Sequence, residues 1–590
     1  MQNCLDGSLS KITTGTLVSA CNEVEQHKTL VVVLSIEKHH STIKNWLIFW
    51  LSATLTLTTT MSVSVRIVLI VIIGCGITVQ KESEKGEPSI KPSIAIVGAG
   101  ISGLSTARRL IELGIDDFDI YEGLDRIGGR IHAIPYKDGF LQMGAQFING
   151  AENPLYKIAN RLGLIADVVS DTAHVDNAHF AFGNQNVQEE DIKTFLDFTS
   201  KLDPKYRSIA KHDEKTARRY TFKEIFTLDY MHFLKSQNFT DTQKNVFDSL
   251  ARSFRSYWEF EWAADWSTLS VHVLKEWNDY GPECESFATN KVGFKGILDD
   301  ISAPIPRNAF NFNSRVENIN LNSNTGKIQL TVNDHVVSTE YDYVIVTSSL
   351  GVLKKYHHMM FTPPLPRQKI EAIEKIGFGG SCKIFFEWEQ PFWSNSTYSI
   401  APLPVRGMIS DKLDAFEEET TILQVVDWAP NVLSAWYAGR GHQLVDNMSE
   451  EELKLRMTRL MREMYNDNEI PLPSKIIRTQ LTKNELLLGS YSYMTQVQAL
   501  SHISHSQLAI PVKLEGRPKI LFAGEATHHR LFQTTIGGYL SGRREADRAV
   551  NDWFGNRYGF NQTDKVELED VTLINEKRDV PYIAQPLTSF

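Results

Sequence analysis

The sequence is poor in cysteine, with five in 590 residues, and Cys4, Cys21 and Cys75 all fall within the first ninety. So low a count excludes a small disulfide-stapled scaffold. No CxxC pair or His/Cys cluster occurs, so the sequence predicts no metal site. The two remaining cysteines, Cys284 and Cys382, could form one disulfide or stay as two buried thiols, and the sequence leaves both open.

The sequence also has no excess of basic residues, since it contains 61 Lys and Arg and 71 Asp and Glu, which gives a formal net charge of -10. This balance argues against a nucleic-acid partner and agrees with a cationic small molecule. Low-complexity tracts and internal repeats do not occur, which excludes fibrous and solenoid proteins. With 42% hydrophobic residues over this length, we predict a globular chain of two closely joined domains.

The first ninety residues differ from the rest because they carry two apolar runs, at residues 46–57 and 67–79. Read from Met61, the second run follows Arg66 and has the length of a signal-peptide core, so we predict secretion. A membrane anchor is the alternative, since a span over residues 46–65 would reach the roughly 20 residues that a transmembrane helix needs. Four N-glycosylation sequons agree with secretion: Asn238, Asn395, Asn447 and Asn561.

The most informative stretch begins at Ser93, where the apolar run SIAIV leads into GAGISG and then into apolar residues at helical spacing. Gly98, Gly100 and Gly103 therefore form a GxGxxG turn between a predicted strand and a predicted helix. In such a turn the first glycine allows a tight bend, the second lets the backbone approach a pyrophosphate, and the third lets the helix pack on the strand. The helix N-terminus then faces the phosphates, so the motif predicts a bound adenine dinucleotide.

A second predicted strand, FDIY, ends at Glu122. Glu122 follows Gly98 at close to the spacing of roughly 20 residues that is expected for a carboxylate that accepts a hydrogen bond from a ribose hydroxyl. Gly128, Gly129 and Arg130 follow directly and offer backbone donors and a guanidinium suited to phosphate. This segment favours FAD over NAD, and on these residues the sequence resembles the flavin-dependent amine oxidase family.

Further motifs occur in the order seen in the polyamine oxidase branch of that family, near the spermine and acetylpolyamine oxidases. They are GAGISGLSTA, GGRI, LGVLKK, GFGGSCKIFFEW, GSYSYM and FAGEATHHRLFQTT, with a strand at Val316, over residues 93–550. The resemblance implies an α/β protein in which a Rossmann-like FAD-binding domain is interleaved with an α+β substrate-binding domain, the flavin amine oxidase fold. It also implies noncovalent FAD, because no cysteine lies in or after GSYSYM, where monoamine oxidases attach flavin.

The implied domains alternate along the chain. Residues 1–90 would be the signal or anchor region, and residues 556–590 a C-terminal tail. The FAD-binding domain would be assembled from residues 91–163, 286–362 and 509–555, and the substrate domain from residues 164–285 and 363–508.

The resemblance also implies the residues that bind FAD. Val316 would contact adenine through its backbone, and Glu525 would bond the ribityl chain. The full implied set is Gly98, Gly100, Ser102, Gly103, Glu122, Gly129, Arg130, Gly144, Ala145, Val316, Gly524, Glu525, Thr534 and Thr535.

The implied reaction is oxidation of a polyamine (spermine, spermidine or an N-acetylated form) by hydride transfer to flavin, with O₂ as acceptor. The products would be an amine, an aldehyde and H₂O₂. Lys383 lies among apolar strand residues, where a charge is costly, and by resemblance would hold a water at the flavin. Tyr491 would form an aromatic wall that desolvates the substrate amine and lowers its pKa. Thr534 takes the position of the opposite wall.

Two positions depart from related vertebrate enzymes, because Asn149 and Ile536 each stand where those enzymes have a histidine before glycine. Asn149, counted among the catalytic residues, keeps a polar group but does not titrate near neutrality. An acidic stretch, formed by Glu259, Glu261 and Asp265, could attract distal ammonium groups of a polyamine or be a solvated loop.

Other classes of protein remain as alternatives. An L-amino-acid oxidase would need an arginine for the substrate carboxylate, and we identify none. A histone lysine demethylase shares the catalytic core, but its long coiled-coil insertion is missing here. A secreted flavoprotein with reduced turnover would agree with the changes at Asn149 and Ile536, although Lys383 and Tyr491 argue for an active enzyme.

Overall fold

The structure, a computed structural model, describes residues 91–170, 178–277, 285–405 and 414–555. The predicted signal or anchor region, the C-terminal tail with Asn561, and Cys284 lie outside these ranges. Within them, no helix combines the length and the apolar character that crossing a membrane would require.

A six-stranded, mostly parallel sheet forms around the strand Ile94–Val97, whose four residues are all buried. Phe118–Tyr121 and Tyr343–Val346 pair with it in parallel on its two sides, and Arg517–Phe522 pairs in parallel with Tyr343–Val346. Phe310–Asn311 and the antiparallel Val512–Leu514 form the edges. The unbroken apolar runs follow from burial on both faces, as is usual in parallel sheets.

The glycine turn leads into the helix Ile101–Glu112, which packs on the long helix Thr535–Phe554. We predict a helix over residues 537–550, and it begins slightly earlier because Thr534 caps it, accepting a hydrogen bond from Gly537 N at 3.0 Å. Gly542 makes the close packing possible, since a Cβ there would lie 2.1 Å from Ser102 O. This contact joins the two ends of the sequence-predicted FAD domain.

A second six-stranded sheet is largely antiparallel and carries Lys383 on its strand Cys382–Glu387. Alternate residues of that strand, Cys382, Ile384 and Phe386, pack into one hydrophobic core, so Lys383 faces the other way. In order, its strands are Lys475–Arg478, Cys382–Glu387, Ala429–Tyr437, Leu423–Val426, Ser399–Pro402 and Ala178–Ala181. This sheet is called the lysine sheet below.

Four smaller sheets complete the strands of the described ranges. The four-stranded one contains His335–Tyr341, Ile328–Val332, Val316–Leu321 and Phe361–Thr362, and the three-stranded one contains Phe147–Asn149, Glu285–Thr289 and Ile165–Ser170. Two two-stranded sheets pair Ala133–Tyr136 with Gly139–Gln142 and Gly377–Phe378 with Ser492–Tyr493.

Helices dominate residues 189–276, as the sequence predicts for the first part of the substrate domain. Capping boxes start two of them, at Thr221 with Glu224 and at Thr240 with Gln243. The helices are Glu189–Thr199, Leu202–His212, Glu214–Arg219, Phe222–Ser236, Asp241–Trp262 and Val273–Glu276.

The remaining described helices connect the sheets. They are Pro154–Arg161, Phe294–Ser302, Leu350–Met360, Arg367–Lys375, Ala415–Glu419, Gly441–Asp446, Glu450–Tyr465, Gln496–Leu500 and Ser506–Ala509, with short 3₁₀ turns at Arg307–Ala309 and Glu525–Thr527. The architecture is therefore mixed α/β, while the domain boundaries given by the sequence stay predictions.

Candidate active site

The three glycines of the GxGxxG turn are constrained in different ways. Gly98 has φ +108°, and a Cβ there would lie 2.6 Å from Thr347 Oγ1. At Gly103 a Cβ would lie 1.9 Å from Gly98 O, so only glycine lets the helix approach the strand. Gly100, by contrast, has no atom within 4 Å of an added Cβ and faces open space. The middle glycine therefore leaves room for a ligand rather than for protein packing.

Glu122 follows the strand Phe118–Tyr121 and is 7% exposed. Its carboxylate accepts hydrogen bonds from Ala99 N at 2.6 Å and from Leu124 N at 2.8 Å. Burial raises the pKa of Glu122, and these backbone hydrogen bonds act in the opposite direction. The carboxylate is thus fixed beside the glycine turn, where a ribose hydroxyl could donate to it.

Arg130 and Glu525 pair with each other across the site. The guanidinium donates to Glu525 Oε1 at 2.9 Å and to Ser490 O at 2.6 Å. The other oxygen of Glu525 accepts from Ser492 Oγ at 2.7 Å and from Gln533 N at 2.8 Å. The pair therefore ties together three distant segments, and the structure shows Arg130 bonded to protein groups.

Lys383 is buried, and its amine donates to three neutral oxygens. These are Gln142 O at 2.8 Å, Gly144 O at 3.2 Å and Gln146 Oε1 at 2.8 Å. Nζ also lies 3.8 Å from the centroid of the Trp436 ring. Burial holds the pKa of Lys383 well below its ordinary value.

An aromatic wall lies next to this lysine. The rings of Trp436 and Phe260 meet edge to face with their centroids 4.9 Å apart. Tyr491 donates its hydroxyl hydrogen bond to Phe260 O at 2.6 Å, and burial raises the pKa of Tyr491. Thr534 also faces the cavity, but its hydroxyl is engaged at the helix start, donating to Leu531 O at 2.7 Å.

Asn149 ends the strand Phe147–Asn149, and its amide donates to Ser286 Oγ at 3.0 Å. The residue lines the same cavity as Lys383. Ile536 is 2% exposed and packs in the core beside the parallel sheet. Both departures noted in the sequence therefore line this cavity, Asn149 with a polar amide and Ile536 with a largely buried apolar side chain.

The structure places the three carboxylates of the acidic stretch in different surroundings. Glu259 is 2% exposed and lies 3.7 Å from Arg255, and burial raises the pKa of Glu259 to about 7. Asp265 caps a turn by accepting from Ser267 N at 2.8 Å. Glu261 lines the cavity beside Tyr491. One carboxylate of the three is therefore placed to meet a ligand there.

One cavity of about 1570 Å³ runs from the glycine turn to Lys383 and the aromatic wall. Gly103 lies beneath its surface, and the other predicted residues line it: Gly98, Gly100, Ser102, Glu122, Gly129, Arg130, Gly144, Ala145, Asn149, Val316, Lys383, Tyr491, Gly524, Glu525, Thr534 and Thr535. The size of this cavity and its two chemically distinct ends fit a dinucleotide together with a second ligand.

Sequence reasoning missed several residues of the reaction end, the part of the cavity that contains Lys383 and the aromatic wall. Gln146 follows Gly144 and Ala145, and Trp436 and Ser434 alternate on the strand Ala429–Tyr437. The period-2 pattern of that strand could have placed Trp436 and Ser434 on one face. It could not have shown that this face lines the cavity.

The fold and the cavity together define an α/β protein whose glycine turn fits a dinucleotide and whose cavity continues to a buried lysine and an aromatic wall. A family model, flavin containing amine oxidoreductase, matches residues 101–550. The chain belongs to this family, which makes it an amine-oxidising flavoprotein by class.

Curated relatives agree with this assignment. The chain is 26% identical over 501 residues to the peroxisomal N(1)-acetyl-spermine/spermidine oxidase of Bos taurus, which covers 79% of this chain and 96% of the relative. It is 26% identical to polyamine oxidase 1 of Zea mays, over 78% of this chain and 91% of the relative. A lysine-specific histone demethylase 1B homolog of Caenorhabditis elegans is also 26% identical, but only 56% of its length is matched.

We predict that Gly100→Ala will separate flavin binding from folding. The added methyl meets no protein atom within 4 Å, so the flavin-free protein should keep its melting temperature. It projects into the open space beside the turn, so flavin affinity should fall by about tenfold or more, roughly 1.4 kcal/mol. Absorbance spectra give the flavin content, and thermal unfolding gives the stability.

Gly103→Ala is the contrasting variant, because its methyl would lie 1.9 Å from Gly98 O. This variant should lose thermal stability in the flavin-free state. Unchanged flavin affinity in Gly100→Ala would show that the turn is not the flavin pyrophosphate site.

Proposed function

We propose that the protein oxidises polyamines with noncovalently bound FAD and O₂. The observation that carries this proposal is that a single cavity connects the GxGxxG turn with Lys383 and the aromatic wall. The likeness to proteins named as polyamine oxidases supports polyamines as the substrate class. Spermine, spermidine and their N-acetylated forms are the proposed substrates.

The residues present fit FAD. The turn at Gly100 and the N-terminus of the helix Ile101–Glu112 would hold the pyrophosphate, Glu122 a ribose and the backbone of Val316 the adenine. Lys383 and Thr534 would lie at the flavin end. When bound, FAD would supply an acceptor for the hydride from the carbon next to the substrate nitrogen, and O₂ with protons would take up the electron pair as H₂O₂.

Noncovalent attachment is supported by the placement of Cys382. This buried thiol donates to Thr479 O at 3.0 Å and does not line the cavity. Cys284 lies outside the described residues. Under this proposal, packing and hydrogen bonds along the cavity would hold the cofactor.

The chain's own residues prepare the amine and the water. Trp436, Phe260 and Tyr491 desolvate the substrate nitrogen, which lowers its pKa and favours the free base that can release a hydride. Lys383 faces the cavity and can position a water for attack on the imine carbon by exchanging one of its three protein acceptors for that water. Hydrolysis of that imine yields an amine and an aldehyde.

An L-amino-acid oxidase is less well supported, because it would need a guanidinium for the substrate carboxylate. The arginines that line the described part of the cavity are engaged elsewhere. Arg130 bonds Glu525, Arg207 donates to Asp203 Oδ2 at 2.8 Å, and Arg315 lies 4.7 Å from the centroid of the Tyr356 ring.

The first test is H₂O₂ release from the purified holoprotein with a panel of amines. We expect release with polyamines, weak release with a simple monoamine and none with L-amino acids. Acid precipitation should also transfer the flavin to the supernatant, because no covalent bond retains it. Activity on L-amino acids alone, or flavin in the pellet, would contradict the proposal.

We predict that Lys383→Met will keep the fold and the flavin, because methionine has a similar length and suits apolar packing. Turnover should fall by about 10² to 10³, the usual effect of removing one preorganised polar group. Oxidation of the reduced flavin by O₂ should slow more than its reduction by substrate. Stopped-flow measurement of the two half-reactions separates these effects.

Lys369→Met is the matched control. Lys369 is also buried, at 4% exposure, and donates to Leu508 O at 2.7 Å, but it does not line the cavity. This variant should keep wild-type rates in both half-reactions. Wild-type rates in Lys383→Met as well would show that Lys383 has only a structural role.

We also propose that the protein is secreted, with a membrane-anchored form facing away from the cytosol as the alternative. The apolar run at residues 67–79 and the sequons support this. Asn238, Asn395 and Asn447 are all exposed, so a glycan attached at any of these positions would not clash with the protein.

Expression from Met61 in insect or mammalian cells tests this localisation. The protein should accumulate in the medium and shift to lower mass with an N-glycosidase. Asn238→Gln should remove part of that shift without affecting secretion. Protein that stays inside the cell without glycans would refute secretion.

A further inference from the structure

The lysine sheet forms one wall of the cavity and carries its residues in rows across neighbouring strands. Lys383 and Trp436 are paired residues on two antiparallel strands, and their side chains touch. This row marks the reaction end of the cavity under the proposed function. Because side chains alternate, the residues two positions along each strand face the same cavity.

The next row contains Ser434 and Gln424. Ser434 precedes Trp436 by two residues and pairs with Gln424 on the following strand. At about 3.4 Å per residue, this row lies roughly 7 Å from the Lys383 row. Both residues line the cavity and are buried, Ser434 at 2% exposure and Gln424 at 8%.

The Ser434 hydroxyl is buried and lacks a hydrogen-bond partner among the described residues. Gln424 Nε2 donates to the Tyr398 hydroxyl at 3.1 Å, and Tyr398 also lines the cavity. On the facing helix Asp241–Trp262, Ser256 Oγ is likewise buried without a partner among the described residues. A buried hydroxyl without a partner is costly, so these groups point to a polar occupant.

The charges around Ser434 indicate which kind of polar ligand group would fit beside it. No carboxylate occurs among the strand residues of the lysine sheet that line the described cavity: Ala178, Phe180, Lys383, Ala401, Gln424, Ser434 and Trp436. Two carboxylates that line the described cavity project from α-helices instead: Glu261 lies beside the aromatic wall, and Asp203 accepts a hydrogen bond from Arg207 at 2.8 Å. A second ammonium group would be unpaired over Ser434, whereas an uncharged amide would be satisfied by hydroxyl and amide partners.

We propose that Ser434, beside Gln424, determines specificity by hydrogen-bonding an uncharged amide at the far end of the substrate. The chain would then act on N-acylated polyamines in preference to fully charged ones. This inference rests on the proposed function and deepens it, since it names the form of the substrate and the residue that recognises it.

Ser434→Ala in the holoenzyme tests this inference with N1-acetylspermine and spermine as paired substrates. Wild-type enzyme should show the higher kcat/KM with the acetylated form. The variant should raise KM for N1-acetylspermine by about 3- to 10-fold, the effect of one hydrogen bond, with kcat changed less than about twofold. Its KM for spermine should stay within about twofold of wild type.

Ser249→Ala is the control, because it removes another buried serine hydroxyl that bonds Pro404 O and does not line the cavity. It should change neither KM. The half-saturating concentration for anaerobic flavin reduction gives the same comparison without the oxygen step. Equal losses for both substrates in Ser434→Ala, or none, would overturn the inference.

Ser434→Asp adds a carboxylate at the same place and should invert the preference towards spermine. Flavin content and melting temperature identify a variant that has failed to fold, and Ser434→Ala then decides alone. An enzyme that oxidises polyamines but prefers spermine from the start would overturn this inference and leave the proposed function intact. Failure to oxidise any amine would overturn both.

Discussion

The close contact between the helices Ile101–Glu112 and Thr535–Phe554 is the constraint on which the site depends. Ser105 Oγ donates to Tyr539 O at 2.8 Å, and Thr106 Oγ1 donates to Gly542 O at 3.1 Å. Such contacts need small residues at the interface, since a Cβ at position 542 would lie 2.1 Å from Ser102 O. The glycine turn and the Thr534 end of the cavity are therefore held together before any ligand binds.

Buried polar groups fix the rest of the site against this contact. Glu525 bonds Arg130, Ser492 and Gln533, so the loop before the second helix is tied to the segment that carries Tyr491. The side chain of Glu525 is 7% exposed, and removing one partner from such a pair typically costs about 3–5 kcal/mol. The pair gives the cavity a defined shape, because the loss of Arg130 would leave the buried Glu525 carboxylate without its countercharge.

The local parts of the site could be predicted from the sequence, since they lie in short windows. The turn at Gly98, the strand before it and the burial of Lys383 each follow from spacing within a few residues. The Arg130–Glu525 pair could not be predicted, because its partners lie 395 residues apart. The sequence shows which residues can donate or accept hydrogen bonds but not which of them are paired in the fold. Glu259 and Glu261 look like one acidic cluster, yet two helical positions separate them by about 200° of rotation. One therefore joins a buried ion cluster with Arg255, while the other faces the cavity.

The surroundings of Lys383 connect the fold to the chemistry proposed for it. The hydrogen bonds of its amine go to two backbone carbonyls and one amide oxygen, none of which carries a charge. Burial disfavours the ammonium form, so the pKa of Lys383 is lowered. A substrate nitrogen placed against Trp436 and Phe260 enters the same low-dielectric surroundings, so it too is driven towards its free base. Burial in this chamber therefore acts in the same direction on both groups, since it lowers the pKa of Lys383 and would lower that of an amine bound beside it.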